Sequence, residues 1–403
     1  MTASAAQIPA ESQAPLKVFL VSGEESGDAL GAKLMQALKQ QHAGEIRFAG
    51  VGGERMAREG LASLFPLSDI AVMGLTAVLQ RLPTIVKRVY QAVDAAVAAN
   101  PDVLVIIDSP DFTHNVAKRV RKRAPHIPIV DYVSPSVWAW RPGRAKRMSV
   151  YVDRLLALLP FEPAAHQRLG GPETFYVGHP LIERAAELRP APCERTPVGS
   201  GSDVLLLLPG SRRSEVDMLL DDFGKAASIL RAHRPDLEIL LPAVPHLADR
   251  IRARVAGWPE QVTVVEGEAA KFAAFRRAHA ALAASGTVSL ELAASGVPMA
   301  ICYRLDWFYR RLKQIHRVFP IASVSSMVLP NIILGRNVVP EFLDEDAAPD
   351  RLAAVVDLLL TESTERQTQV NAFTELDATM RLPDGHSQSA TAARLVLDLI
   401  KRS

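Results

Sequence analysis

Short, wholly apolar runs alternate with longer segments of helical spacing along most of the chain. The run 17–21 stops at Gly23, and 28–38 then carries apolar residues three and four positions apart. The alternation returns at 47–51, 103–107 and 127–132, with helical spacing over 83–99 and 116–123 between them. Strands without a polar side are covered on both faces, so the pattern predicts a parallel sheet between helical layers. A second series follows, with strands at 204–208, 237–241, 262–265, 280–283 and 299–303 and helices at 216–232 and 288–294. Residues 349–403 read as helices without a strand.

Between the two series, 191–202 is rich in Pro, Gly, Ser and Thr and has no periodicity, which predicts a linker joining domains 17–190 and 203–348. A chain of 403 residues exceeds what one core serves, so the fold class expected is α/β, two doubly wound parallel-sheet domains facing a cleft. Residues 1–16 are small and polar and predict a disordered tail. No apolar run reaches the length of a membrane span. The only cysteines, Cys193 and Cys302, exclude a disulfide framework and a Cys-rich zinc site, and fit a reducing cytosol. A net charge of +2 gives no reason to expect a nucleic-acid partner. The basic runs at 118–123 and 141–147 read as solvated helix faces.

Candidate chemistry sits where apolar runs end. In the second half, 205–208 stops at Pro209-Gly210-Ser211-Arg212, and 280–283 leads into Ser285-Gly286-Thr287, each followed by a helix. Such turns aim N–H groups and a positive helix end at phosphate. Two of them suggest a diphosphate site, with Arg212 as the cation and Glu291 as acceptor for ribose hydroxyls. Neither a P-loop nor a dinucleotide fingerprint is present.

In the first half, Asp108 follows five apolar residues and is the candidate general base, its pKa expected to rise with partial burial. Asp111 is either a second site carboxylate or the N-cap of the next helix. No third carboxylate or His follows at ligand spacing, so no metal site is expected. The acidic cluster 344–346 reads as a solvated loop, and His114, His166, His179, His279 and His316 as isolated residues, of which His179 stands out just before the linker. Residues 64–90, with Val72, Met73, Leu75, Val78 and Leu79 edged by Arg81, suit either a core helix with a basic side or a surface lying on an anionic bilayer. Trp138 and Trp140 beside Arg141 pose the same choice between packing and a lipid or sugar surface.

Taken together, these motifs resemble the lipid-A-disaccharide synthase family. The resemblance rests on Gly23-Glu24, Ser26-Gly27-Asp28, Gly50 to Gly53, Val72-Met73-Gly74, Asp108 to Phe112, Tyr132 to Arg141, Leu159 to Glu162 and Gly178-His179-Pro180. It continues through Leu208 to Arg212, Glu215-Val216, Ser285 to Thr287, Leu290-Glu291 and Leu329-Pro330-Asn331, in order. Ser22, Glu25 and Thr113 stand where other residues are frequent.

The resemblance implies a metal-independent, inverting GT-B glycosyltransferase without cofactor. It would join UDP-2,3-diacylglucosamine to 2,3-diacylglucosamine 1-phosphate, giving the β-1′,6 disaccharide 1-phosphate and UDP. It also implies peripheral attachment to the cytoplasmic face of the inner membrane, which favours the membrane reading of 64–90. A homodimer through the last helices is a further expectation. By position, Asp108 resembles the catalytic aspartate and Arg212 the phosphate-binding residue, with Glu24, Ser26, Asp28, Asp111 and Asn331 at the acceptor or supporting the site. A UDP-N-acetylglucosamine 2-epimerase would share the architecture but not these motifs. A non-catalytic nucleotide-sugar binding module would have no use for Asp108.

Overall fold

The computed structural model describes residues 14–71, 75–304, 326–382 and 385–402. The chain divides into two compact units, one running to Val177 and completed from Leu382 onward, the other Gly178–Arg381.

The first unit holds β1 (Leu16–Ser22), α1 (Glu25–Gln41), β2 (Ile46–Val51), α2 (Glu54–Arg58), α3 (Leu75–Ala99), β3 (Val103–Ile107) and α4 (Pro110–Arg123). It continues through β4 (Ile129–Tyr132), α5 (Gly143–Met148), β5 (Arg154–Ala157), α6 (Glu162–Arg168) and β6 (Glu173–Tyr176). Its sheet is parallel in the order β2-β1-β3-β4-β5-β6. Both faces are apolar, as predicted: Phe19, Val21, Leu104 and Ile106 pack one way, Leu20, Val105 and Tyr132 the other. Burying a side chain of this size contributes roughly 1.5–3 kcal/mol.

In the second unit come α7 (Pro180–Glu183), α8 (Ala185–Leu188), β7 (Val204–Leu208), α9 (Arg213–His233), β8 (Glu238–Ala243), α10 (Pro245–Val255) and β9 (Val262–Glu266). After these follow α11 (Glu268–Arg277), β10 (Ala280–Ala284), α12 (Val288–Ala294), β11 (Met299–Tyr303) and β12 (Glu341–Leu343). The sheet order is β12-β11-β10-β7-β8-β9, again parallel.

In each sheet the order reverses once, between β1 and β3 and between β7 and β10. Ligands of doubly wound sheets sit beyond the carboxyl ends of the strands at this reversal. The turns after β1, β3, β7 and β10, which carry Gly23-Glu24, Asp108, Gly210 to Arg212 and Ser285 to Thr287, flank these two points.

Two segment boundaries differ from the sequence expectation. The units divide at Val177, not near 190, because α7 and α8 pack on α12 and α11. The expected linker 191–202 is pinned to the second unit by Arg195, whose guanidinium donates to the carbonyls of Phe275, Ser295, Arg276 and Gly296 at 2.9–3.1 Å. The closing helices also do not form one segment. Pro349–Leu359 and Thr364–Met380 belong to the second unit, whereas Gln388–Ile400 packs on α1 in the first.

Candidate functional site

At the reversal in the first unit, β3 ends in two consecutive left-handed residues, Asp108 (φ 54°) and Ser109 (φ 47°). Non-glycine residues hold this conformation only when their surroundings impose it. Here the Asp108 amide donates to the Tyr132 carbonyl (3.0 Å), and the buried Thr113 hydroxyl donates to the Asp108 carbonyl (2.6 Å). Gly23, at the end of β1, leaves the room: a Cβ there would lie 2.1 Å from Ser109 Cβ.

The turn swings the Asp108 carboxylate to the open edge of the sheet. Its Oδ1 accepts from the Ser109 amide (2.7 Å), and its Oδ2 lies 2.9 Å from Ser26 Oγ, which also reaches Glu24 Oε1 (2.7 Å). Two carboxylates thus compete for one hydroxyl proton. Burial, with a contribution from the Asp108 charge, raises the Glu24 pKa. Glu24, Ser26 and Asp108 therefore form one constellation.

Asp28 and Asp111 stand apart from it. The buried Asp28 carboxylate takes the amides of Gly53 (2.7 Å), Arg55 (2.9 Å) and Met56 (3.1 Å), so it anchors the start of α2. Asp111 is not the N-cap of α4, a position held by Ser109; it lies one residue beyond Pro110, exposed, with its Oδ1 3.0 Å from Arg144 Nη2.

At the second reversal, a cavity of about 600 Å³ is lined by Gly210, Ser211, Arg212, Lys271 and the turn Ser285-Gly286-Thr287, among others. The amides of Ser211 and Arg212 do not point into empty space. Both donate to Glu215 Oε2 (3.0 and 3.2 Å), while Glu215 Oε1 takes Arg212 Nη1 (3.1 Å), so the Glu215 carboxylate folds back over the start of α9. The Arg212 side chain remains 68% exposed, leaving most of its donors to an incoming anion. Gly210, at φ 119°, is required beneath this side chain, since a Cβ would lie 2.5 Å from Glu215 Cβ. Glu291 sits behind the cavity lining, both oxygens on Lys271 Nζ. Ser285 Oγ donates to the Met327 carbonyl (3.2 Å). Asn331, also in this unit, is buried and spends its amide on Val338, Val339 and Glu341, tying the helix Leu329–Leu334 to β12.

A buried polar layer lies under the open edge of the first sheet. Glu162 accepts from Trp138 Nε1 (3.2 Å) and the Leu159 amide (3.0 Å), and burial lifts its pKa to about 7. His166 Nε2 lies 2.8 Å from the Ser134 hydroxyl oxygen, with burial lowering the His166 pKa to about 4. The buried Asp131 and His114 lie 3.1 Å apart, and burial raises the Asp131 pKa. His179 caps α7 through Nδ1, accepting from Leu181 N (3.2 Å). No group of three or more potential metal ligands occurs among the described residues.

On the proposed membrane segment, Val72 and Met73 lie outside the described residues, as does His316, and of Leu75, Val78 and Leu79 only the helical backbone of α3 is described. Arg81 donates to the Ser68 carbonyl (2.7 Å). Leu82, Val86 and Tyr90, at helical spacing, are exposed beside Arg81 and Lys87. No helix of the described residues is long and apolar enough to cross a membrane.

The family model for lipid-A-disaccharide synthetase matches residues 18–394. The chain belongs to the lipid-A-disaccharide synthase family. Curated relatives under that name include those of Nitrobacter winogradskyi, 51% identical with 96% of each chain covered, and Bradyrhizobium diazoefficiens, 50% identical over 96% of this chain and 97% of that one. The fold is also that of the UDP-GlcNAc 2-epimerase from Neisseria meningitidis (TM-score 0.61, 11% identity, 96% and 100% covered). The calicheamicin glycosyltransferase CalG4 is similar (TM-score 0.58, 15% identity, 97% and 99% covered). As a lipid-A-disaccharide synthase, the chain is a GT-B glycosyltransferase of lipid A disaccharide synthesis.

Sequence reasoning about this synthase singled out neither Lys271, which lines the cavity, nor the buried Asp131. For Lys271 the signal was present: 262–265 stops at Gly267 and resumes as a helix, a third strand-Gly-helix turn beside the two that were noticed. Asp131 was also visible, as a lone charge inside an apolar run. Glu162 was legible as the last residue of the Leu159 to Glu162 motif, with no local sign of its burial or of its bond to Trp138.

Proposed function

We propose that this synthase transfers a 2,3-diacylglucosamine unit from its UDP donor to the 6-hydroxyl of 2,3-diacylglucosamine 1-phosphate. Asp108 takes the hydroxyl proton as the oxygen attacks the donor anomeric carbon from the face opposite UDP. The new β-1′,6 bond forms as the bond to the diphosphate oxygen breaks. Arg212 meets the charge that collects on the departing UDP, a contribution made in the transition state. Lys271 holds Glu291 for the ribose hydroxyls.

The observation that carries this reading is the half-buried Asp108 carboxylate, fixed by two successive left-handed residues at the reversal of the first sheet. The 600 Å³ cavity at the equivalent point of the second sheet supports a nucleotide diphosphate there. The Neisseria epimerase of the same fold was solved bound to UDP-GlcNAc, in keeping with a UDP-sugar donor. The exposed Leu82, Val86 and Tyr90, with Arg81 and Lys87 alongside, support peripheral attachment to the cytoplasmic face of the inner membrane.

The test is incubation of the purified protein with both diacylated substrates in mild detergent, followed by mass spectrometry. A disaccharide 1-phosphate that requires both substrates and forms equally in EDTA is the expected result. A folded protein that binds UDP, forms no disaccharide and instead epimerises UDP-N-acetylglucosamine would overturn the reading.

A further inference from the structure

The loop joining β4 to α5 is strained at both ends. Val133 has φ 91° and Arg141 φ 54°, conformations that a β-branched residue adopts least readily. The first end is fixed beside the base: the Val133 amide donates to the Leu156 carbonyl (3.0 Å), and the Tyr132 carbonyl takes the Asp108 amide. Beyond the other end, Arg144 reaches Asp111 (3.0 Å), just past the same turn. The loop is therefore an arch with both feet on the segment that carries Asp108.

One side chain grips the middle of this arch. Glu162, only 3% exposed, takes Trp138 Nε1 on one oxygen and the Leu159 amide on the other. The Trp138 ring stands edge-on to Phe161, centroids 5.0 Å apart. Two residues further on, Trp140 is 45% exposed, with the Arg141 guanidinium 4.2 Å from its ring centroid. An aromatic face for sugar C–H groups beside a guanidinium for an anion is a combination suited to a phosphorylated sugar.

We propose that Glu162 is a positioning residue for the acceptor: through Trp138 it holds the strained 133–141 arch so that Trp140 and Arg141 meet the acceptor's sugar phosphate beside Asp108. The inference rests on the acceptor role given to the Asp108 edge above. Neither Trp140 nor Arg141 is engaged in the core, so the strain at Val133 and Arg141 serves an outward-facing surface. A buried carboxylate that only completed local hydrogen bonds would affect folding and leave substrate discrimination alone.

Glu162→Gln separates these roles, because it keeps the volume and one carbonyl oxygen but turns an NH2 group toward one of the two N–H donors. Steady-state kinetics with each substrate varied in turn should show the acceptor KM raised about tenfold, the scale of one hydrogen bond to a charged group. Donor KM and UDP affinity should stay unchanged. A folded variant whose two KM values are unchanged, or rise together, overturns the inference. Should Glu162→Gln fail to fold, Trp138→Phe keeps an aromatic ring against Phe161 and removes the indole N–H; an unchanged acceptor KM there is equally fatal. Arg141→Ala, at the exposed end, should raise the acceptor KM without moving the melting temperature. Absence of turnover by the wild-type protein overturns the proposed function itself, whereas wild-type turnover with no selective acceptor effect removes only the role of the arch.

Discussion

Lys271 and Glu291 form a two-pronged ion pair, the ammonium 2.9 and 3.0 Å from the two carboxylate oxygens. Lys271 lines the cavity and Glu291 stands behind it, so the pair fixes a carboxylate at the cavity wall. Lys271→Met frees that carboxylate and leaves its charge unmatched. UDP affinity measured by titration calorimetry should fall about tenfold in Lys271→Met and in Glu291→Gln. Unchanged affinity in both would remove the ribose role from Glu291.

Asp108→Asn preserves the shape of the turn and removes the base. Turnover should drop by roughly 10²–10⁴, the range of a lost general base, with UDP affinity nearly unchanged. Substantial residual turnover would show that another group takes the proton.

Arg212→Ala should weaken UDP binding and slow turnover together, by about tenfold or more in affinity for a lost charge-assisted contact. Because Glu215 already takes one Arg212 nitrogen, Glu215 is left without that partner in the variant. An unchanged UDP affinity would place the diphosphate elsewhere.

The pH dependence of stability has a definite sign at Glu162. Its folded pKa is raised from 4.5 to about 7, chiefly by burial, so the folded state holds this proton more tightly than the unfolded state. The resulting stabilisation is full below about pH 4.5 and is lost as pH rises through 7. A shift of this size corresponds to something on the order of 3 kcal/mol. Facing the carboxyl are Trp138, Ser134 and the Leu159 amide, with Tyr176 of β6 in its field. His166, on the same helix and lowered to about 4, opposes it between pH 4 and 6.5, because the unfolded state takes up that proton first. Comparing wild type with Glu162→Gln by urea unfolding at pH 5 and pH 8 cancels the histidine. The wild type should lose stability relative to the variant as pH rises; a constant difference would refute the assignment.

The double substitution Leu82→Ser and Val86→Ser should reduce binding to anionic phospholipid vesicles in a flotation assay while leaving UDP affinity intact. Both side chains are exposed, so folding should be little affected. Equal flotation would move the membrane contact away from this part of α3.

The strands that frame both reversals were legible because they are apolar on both faces: Leu20, Ile106, Leu206 and Leu282 offer no polar side that would confuse the pattern. Strand β5 was not, as it lasts four residues and opens on Arg154, whose buried guanidinium donates to the Leu395 carbonyl, far along the sequence, and meets Glu173 and the Phe175 ring on β6. The edge strands β6 and β12 begin with Glu173 and Glu341 and resemble loops. Asp108 could be read from its place after an apolar run. The occupation of the Ser211 and Arg212 amides could not, because it depends on which rotamer Glu215 adopts one turn later.

The helix Gln388–Ile400, docked on α1, makes the first unit a structure closed by residues more than two hundred positions apart from its last strand. Ala392, Ala393 and Val396 complete an apolar layer begun by Leu34 and Leu38. As the chain leaves the ribosome, the contiguous second unit has all its strands before that layer is covered. The unit begun before the other is thus completed after it, and until Gln388–Ile400 has been made its α1 face remains an open apolar surface for chaperones to shield.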